Sequence, residues 1–399
     1  MGAREYRLSR SNPFDPPELL RELRGLPIGK VRLEDGAEAW LITRHEDVVA
    51  VLRDPRFSSD IGYHKLASSA TKKLTAWYYT SSLGHTDGER HARVRQALAE
   101  GFLPKRVEAM RPTVQRIVDA RIDHLLESGA PIDLHQIFSM KVAGKVVPAA
   151  MGMPVVYQQG VDDYMELLDA LQESSPAEQK EAYTASIVDL YYLCEQLLRE
   201  HEGTGETLFT QIQQAIRDGR LSSHEGAGLI TNVTTIGHPI SASSITLSAL
   251  MVLLNPDLAR VVREKGDVAA NALEELLRYH SPMNWGLPRA AVEDVAMDGA
   301  LIRKGDRVMV SLPSANRDES VFGDPDEFDI KRDEARQHVT FGGGPHVCLA
   351  QWLARAEVEI SISTLVTRIP SLRLAVPFEE LSFQEEAYIF TVDELPVTW

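Results

Sequence analysis

Hydrophobic residues recur along most of the chain at spacings of three and four, which is the period of an amphipathic helix. Two short helices are expected before residue 54, ending near Arg24 and Arg53. The same pattern predicts longer helices over residues 87–101, 105–127, 133–151, 155–171, 176–201, 267–280 and 349–368. The segment 223–254 is predicted as a long and largely apolar helix with Pro239 in its middle.

Strand-like alternation is confined to short stretches. Residues 30–43 alternate around an Asp35-Gly36 turn, which predicts a β-hairpin. Residues 58–86 are irregular and rich in Ser, Thr and aromatic residues, and a loop of this length is usually functional. Short strand-like pieces follow at 285–311 and at the C-terminus. The sequence therefore predicts a mainly α fold with minor β, as one domain over residues 1–399.

Composition and charge narrow the classes of partner. The 399 residues carry 42 basic and 58 acidic side chains, and a net charge of −16 is unfavourable for nucleic-acid binding. The N-terminal segment has neither the apolar core of a signal peptide nor a membrane-spanning run. Two cysteines form no disulfide framework. We expect a cytoplasmic protein that binds neither nucleic acid nor membrane.

Residues 341–348, Phe-Gly-Gly-Gly-Pro-His-Val-Cys, carry the strongest chemical signal. Consecutive glycines permit backbone geometry closed to other residues and leave room for a flat cofactor. Cys348 directly precedes a predicted helix, whose N–H groups and dipole stabilise a thiolate. A thiolate with an open face opposite is the ligand that activates oxygen at haem iron. The alternative is a glycine-rich turn beside a structural cysteine; Cys194 fits that simpler role, in an apolar helix.

This loop resembles the cysteine signature of the cytochrome P450 family, F-G-x-G-x-H-x-C-x-G, except that Ala350 replaces the last glycine. The resemblance implies the P450 fold, with haem b between the long distal helix and the helix after the cysteine. Cys348 would be the iron ligand. Phe341, Gly342 and Ala350 would lie at the haem, since alanine is still small enough for close packing.

Two further groups of residues appear in the order of the family. Glu275 and Arg278 match its E-x-x-R helix, where residues three apart share one face, and Arg332 holds the place of the arginine that pairs with them. This group is implied to be structural. The resemblance also implies four haem-propionate ligands, a sound role for cations beside buried carboxylates: His91, Arg95, Arg289 and His346.

The long helix departs from the family where protons are delivered to bound oxygen. The family there reads Ala-Gly-x-acid-alcohol-Thr/Ser, whereas residues 236–241 read Ile-Gly-His-Pro-Ile-Ser. Pro239 takes the acid position and Ile240 the alcohol position, while Gly237 still permits close approach to haem. Pro239 also removes a helical N–H and predicts a kink. The candidate substitute proton donors are His238, Ser241 and Thr235.

Three explanations of this departure are open. The substrate supplies its own polar group, the enzyme uses peroxide, or the reaction stops at abstraction of hydrogen or electrons and gives coupling or ring closure. The expected pocket favours an aromatic ligand, because aromatic walls stack with aromatic rings. Its predicted lining residues are Trp77, Tyr78, Met283, Trp285, Leu287, Tyr388 and Ile389.

We therefore predict a haem-thiolate oxidoreductase of secondary metabolism that couples or cyclises a small aromatic natural product. Two electrons would come from a ferredoxin and its reductase. Basic residues are the expected docking contacts for an acidic ferredoxin: Arg90, Arg93, Lys105 and Arg106. The alternatives are a hydroxylase or epoxidase of a polyketide or peptide with a displaced proton relay, and a haem-binding protein of low turnover.

Overall fold

The computed structural model describes residues 4–33, 35–60, 83–170, 176–265 and 270–399. Helices dominate the described chain, which confirms the predicted mainly α fold with minor β. The helices are α1 (Glu18–Arg24), α2 (His45–Arg53), α3 (Gly88–Ala99), α4 (Pro104–Ser128), α5 (Lys141–Met151), α6 (Val155–Ala170), α7 (Pro176–Glu200), α8 (Leu208–Arg217), α9 (Ser223–Leu254), α10 (Pro256–Lys265), α11 (Ala270–His280), α12 (Leu312–Ala315) and α13 (Gln351–Arg368).

The hydrophobic pattern located most of these helices and missed three short ones, α8, α10 and α12. Local signals mark the first two. The Thr207 side chain accepts a hydrogen bond from the Thr210 N–H and so caps α8. Pro256 stands at the first position of α10, where a missing N–H costs nothing. The predicted helix over 133–151 also differs, because it begins as a π-helix (His135–Met140) before α5.

The strands are short and form one main sheet with two small ones. They are β1 (Arg4–Glu5), β2 (Gly29–Arg32), β3 (Glu38–Ile42), β4 (Phe57–Ser58), β5 (Ile132–Asp133), β6 (Leu287–Ala291), β7 (Val295–Met297), β8 (Ala300–Ile302), β9 (Arg307–Val310), β10 (Arg373–Leu374) and β11 (Pro396–Thr398). The main sheet has the order β1-β2-β3-β9-β6-β4. The β2–β3 pair is antiparallel and confirms the predicted hairpin. Antiparallel pairing of β6 with β9 positions Arg289 beside the site described below.

The central helix α9 organises the core. It begins with a capping box in which Ser222 and Glu225 satisfy each other's backbone N–H groups. It packs against α5, α7, α11 and α13. Its length and apolarity would suit a membrane span, but 67% of its most apolar window is buried inside the protein. Its apolar character is therefore explained by its place in the core.

Two helices run side by side in the same direction. Arg111 of α4 pairs with Glu359 of α13, and Gln115 further along donates to Thr364. Arg368 then pairs with Asp119 one turn beyond. The difference in residue number between the paired positions is nearly the same in all three pairs. The N-terminal end of α4 therefore lies level with that of α13. Both helix N-termini therefore open on the side of the protein where the cysteine loop meets α13.

Candidate active site

The cysteine loop is fixed by its own hydrogen bond and by close contact with α2. The Cys348 N–H donates to the Phe341 carbonyl at 2.8 Å, which closes the loop. Gly344 has φ +63°, and a Cβ there would collide with the Leu52 carbonyl. Gly342 has φ +70° and lies next to the Leu287 side chain. These two positions explain why the sequence needs glycines just before the cysteine.

Cys348 is a half-buried free thiol just before the first turn of α13. Burial raises the pKa of its thiol, while the Ala350 N–H and the guanidinium groups of Arg95 and Arg355 act in the opposite direction. The loop thus supplies a backbone donor and two cations for a sulfur anion. Ala350 contributes its backbone N–H to this site and packs against the main core cluster.

Two buried basic side chains at the edge of this loop have unused hydrogen-bonding capacity. His91 is 5% exposed, and its Nε2 has no hydrogen-bond partner in the described part of the chain. Arg289 is 4% exposed and donates to the neighbouring Pro288 carbonyl, but pairs with no carboxylate among the described residues. Burial lowers the pKa of Arg289 to about 10. A buried guanidinium without a carboxylate and a buried imidazole nitrogen without a partner are costly, so this edge is suited to anionic groups of a ligand.

His346 lies against His91, with ring centroids 4.2 Å apart, and links the loop to the start of α3. Its Nδ1 is 3.1 Å from the Leu83 carbonyl, and its Nε2 is 2.8 Å from Oδ1 of Asp87. Asp87 also accepts hydrogen bonds from Ser58 Oγ–H and the Ser59 N–H. These bonds hold the pKa of Asp87 below its usual value although burial opposes them.

Asp87 is a site residue that the sequence reasoning missed. The only sequence feature that could have indicated Asp87 is its position, immediately before the first residue of α3 and four residues ahead of His91. Aspartate is a common residue at a helix start, so that signal alone indicates a cap. Only the folded chain brings its carboxylate to His346.

The predicted structural cluster is assembled in the protein. Glu275 and Arg278 are fully buried and joined by two hydrogen bonds of 2.7 and 2.9 Å. Arg332 reaches the same carboxylate at 3.2 Å. Arg278 also donates to the carbonyls of Asn316 and Pro325, so the cluster ties α11 to the segment that precedes the cysteine loop.

The middle of α9 presents one partly exposed face within an otherwise buried helix. Partly or fully exposed positions recur at Val233, Ile236, Gly237, Pro239, Ile240 and Ser241, mostly at helical spacing. Ile236 is 38% exposed. The Ser241 hydroxyl donates to Glu357 of α13, so this face lies on the side where α9 meets the helix after the cysteine. Apart from Ser241, the face is apolar.

Two predicted proton donors point elsewhere. His238 is 1% exposed, and its Nε2 bonds the Met140 carbonyl at 2.9 Å, on the side of the π-helix. Burial lowers the pKa of His238 to about 4, so the ring is neutral near pH 7. The Thr235 hydroxyl donates to the Thr231 carbonyl within its own helix. The interpretation of His238 as a substitute proton donor is therefore wrong, because its ring lies on the π-helix side of α9 and not on the face that carries Gly237.

The predicted pocket residues divide into three groups. Met283 and Ile389 face each other across an isolated β-bridge, and Leu287 lies beside Gly342. Tyr388 is 51% exposed. Trp285 instead packs edge-to-face on Tyr6 at 5.6 Å and donates its indole N–H to the Glu386 carbonyl, which assigns it to packing. Two predicted pocket residues lie outside the described residues: Trp77 and Tyr78.

The residues present fit haem. The loop offers a thiol for the iron and a glycine-lined backbone for the flat ring. His91 Nε2 and the Arg289 guanidinium would bind the two carboxylates of the macrocycle. Arg95 lies close enough to Cys348 to favour the thiolate.

Comparisons with known proteins agree with this geometry. The family model described as Cytochrome P450 matches residues 267–370. The curated protein Cytochrome P450-SU2 of Streptomyces griseolus is 36% identical over 391 residues, covering 97% of this chain and 94% of its own. The structure of mycinamicin VIII C21 methyl hydroxylase from Micromonospora griseorubida, bound to mycinamicin VIII, superposes with a TM-score of 0.87 at 33% identity, covering 98% of each chain. The structure of cytochrome P450 TxtC, described as performing aliphatic and aromatic thaxtomin hydroxylation, has a TM-score of 0.85 at 33% identity, covering 97% and 100%.

Proposed function

Because the chain belongs to the cytochrome P450 family and is a haem-dependent, monooxygenase-type oxidoreductase, we propose that it couples or cyclises a small aromatic natural product. Haem held by Cys348 supplies the oxidising power from oxygen and two electrons. The protons that this chemistry consumes would come from solvent and are proposed to be relayed by a polar group of the substrate. A cytoplasmic location and a single domain over residues 1–399 stay predictions.

The partly exposed face in the middle of α9 carries this proposal. Val233, Ile236, Gly237 and Ile240 offer no proton donor, and the one hydroxyl on the face, Ser241, already donates to Glu357. General acid catalysis requires a donor within hydrogen-bond reach of the reacting atom. A substrate with its own hydroxyl or N–H meets that requirement. Reduction of oxygen by two electrons consumes two protons whichever product forms, so this substrate group would be needed for coupling as well as for oxygen insertion.

The described pocket residues support an aromatic substrate of modest size. Met283, Leu287 and Ile389 supply apolar, partly exposed surface, and the ring of Tyr388 is half exposed. Such walls favour flat apolar ligands, with few polar groups to fix orientation. These residues support an aromatic ligand even though Trp285 packs elsewhere.

A turnover screen read by product mass tests the proposal. Holoenzyme, ferredoxin, its reductase and NADPH would be incubated with aromatic cyclic dipeptides, indoles, phenols, macrolides and fatty acids. The expected product is an aromatic substrate minus two hydrogens, or two substrates joined with the same loss. Cys348→Ala is the matched control and should give no product. Turnover only of macrolides or fatty acids would overturn the aromatic assignment.

A second candidate is oxygen insertion into a polyketide or peptide. The specific observation in its favour is the similarity to mycinamicin VIII C21 methyl hydroxylase over nearly the whole chain. In that case a water or a substrate group would have to replace the missing acid–alcohol pair. Its signature in the same screen is a product heavier by one oxygen.

The predicted ferredoxin contact also needs revision. Arg90 and Arg93 both pair with Glu225, and Arg106 pairs with Glu206, so these guanidinium groups are engaged within the chain. Lys105 is exposed at the N-terminal end of α4. We propose that an acidic ferredoxin docks where the ends of α4 and α13 lie level.

Three features of that surface support the docking proposal. Lys105 supplies a free positive charge, and both helix dipoles present their positive ends there. Leu103 and Trp352 are 50% and 45% exposed beside it. Lys105→Glu should raise the KM for ferredoxin and make that KM less dependent on salt concentration. Lys304→Glu, on the turn between β8 and β9, should change neither. Equal effects of both variants would contradict this surface.

A further inference from the structure

A second buried ion-pair cluster lies against the cysteine loop, one residue before Glu275 in the sequence. Glu274 of α11 accepts two hydrogen bonds from Arg355 of α13, from Nε at 2.7 Å and Nη2 at 2.9 Å. The same carboxylate is 2.9 Å from Nε2 of His338. The side chains of Arg355, Glu274 and His338 are only 16%, 11% and 2% exposed. A bidentate pair this well shielded has a fixed geometry.

The hydrogen bonds of His338 show which of its ring nitrogens carries the proton. The Thr340 N–H donates to Nδ1 of His338 at 3.2 Å, so the ring proton is on Nε2 and points at Glu274. Glu274 thus receives three hydrogen bonds. These hold the pKa of Glu274 at about 2, against the effect of burial. The carboxylate is charged at all ordinary pH values and neutralises Arg355.

Arg355 connects this cluster to the cysteine loop. Its guanidinium carbon lies 4.4 Å from the ring centroid of Phe341 and 5.2 Å from that of Trp352. Phe341 begins the loop, and its carbonyl accepts the hydrogen bond from the Cys348 N–H. Arg355 is also one of two cations whose charge favours the thiolate of Cys348. The other is Arg95.

We propose that the Glu274–Arg355 pair sets how strongly the Cys348 sulfur donates electrons, and thereby tunes the reduction potential of the iron it holds. Groups outside the ligand shell are known to tune metal sites through charge and hydrogen bonding. Arg355 acts here as a positioning residue, through Phe341 and through its charge. This role is independent of the substrate and of the product type.

Opposite charge changes give opposite expected shifts. Arg355→Met removes a positive charge and leaves Glu274 unneutralised, so the site becomes more negative and the potential should fall. Glu274→Gln removes the negative charge and leaves Arg355 in place, so the potential should rise. The double variant should lie between the two. Arg355→Lys keeps the charge without the bidentate geometry and should shift the potential less than Arg355→Met.

The test is spectroelectrochemical titration of substrate-free holoenzyme, with the Soret band of the ferrous–CO complex as a second readout of thiolate ligation. Arg111→Met is the matched control, since Arg111 makes a comparable pair with Glu359 on α13 but no described contact with Phe341. It should leave the potential unchanged. Shifts of the same sign in Arg355→Met and Glu274→Gln, or shifts no larger than that of Arg111→Met, would overturn the proposal. If Arg355→Met fails to fold with haem, Glu274→Gln still decides the sign, because a fall in its potential would overturn the proposal.

Discussion

The Ser241 hydroxyl donates a 2.9 Å hydrogen bond to Oε2 of Glu357, which joins the central helix α9 to the helix that follows Cys348. Glu357 is 1% exposed, and its Oε1 has no hydrogen-bond partner in the described chain. Burial raises the pKa of Glu357 to about 7. The residue next to the missing alcohol is therefore coupled to a buried acid that keeps its proton below neutral pH.

The raised pKa of Glu357 predicts that the free energy of unfolding depends on pH, and that this dependence disappears when Glu357 is replaced. Because the folded-state pKa lies above the ordinary 4.5, the folded protein binds more protons than the unfolded chain between these values. The free energy of unfolding should thus fall as pH rises through this window, by at most about 3 kcal/mol. Glu357→Gln removes the titration. Denaturant unfolding of both proteins across that pH range should give curves that diverge, and parallel curves would refute the assignment.

Ser241→Ala separates a structural from a catalytic role of that hydroxyl. The variant deprives buried Oε2 of its hydrogen-bond donor, so it should cost about 1–3 kcal/mol of unfolding free energy. Turnover per haem should stay unchanged, because Ser241 is not proposed to deliver protons. The free energy of unfolding and the turnover per haem are measured on the same preparation of the variant. A large loss of turnover at unchanged stability would instead make Ser241 the displaced proton donor.

Arg332→Met should destabilise the protein strongly. It removes one of two arginines from Glu275, a fully buried carboxylate, and breaking a buried pair costs about 3–5 kcal/mol. Arg260→Met is the matched control, because Arg260 makes exposed ion pairs on α10, and such pairs contribute little. Urea unfolding of holoenzyme compares the two. Similar midpoints for both variants would show that the cluster is not structural.

Arg289→Leu should weaken haem retention. The buried guanidinium lacks a carboxylate partner among the described residues, and its proposed role is to bind a haem carboxylate. The variant should transfer haem to apomyoglobin faster than the parent. Arg303→Leu, in an exposed pair with Asp294, should transfer haem at the parental rate. Unchanged transfer from Arg289→Leu would remove this residue from the haem site.

The features that could be predicted from the sequence are those that depend on residues close together in the chain. Helical periodicity located α9 and α13, and the glycines before Cys348 reflected a real steric need at Gly344. Glu275 and Arg278 are three residues apart on one helix, so their pairing follows from spacing.

What the sequence did not provide depends on contacts between distant segments. Asp87 meets His346, and Glu274 meets Arg355, across long separations in the chain. The direction of a side chain on α9 was equally hidden. His238 adjoins Gly237, yet it bonds the Met140 carbonyl on another face, because successive helical residues are rotated by about 100°.

Turnover of the native substrate under isotopically labelled dioxygen tests the central claim most directly. Substrate-assisted coupling or ring closure predicts a product that has lost two hydrogens and carries no labelled oxygen. A product with one labelled oxygen, formed in tight proportion to the NADPH consumed, would contradict it and establish ordinary monooxygenation without the acid–alcohol pair.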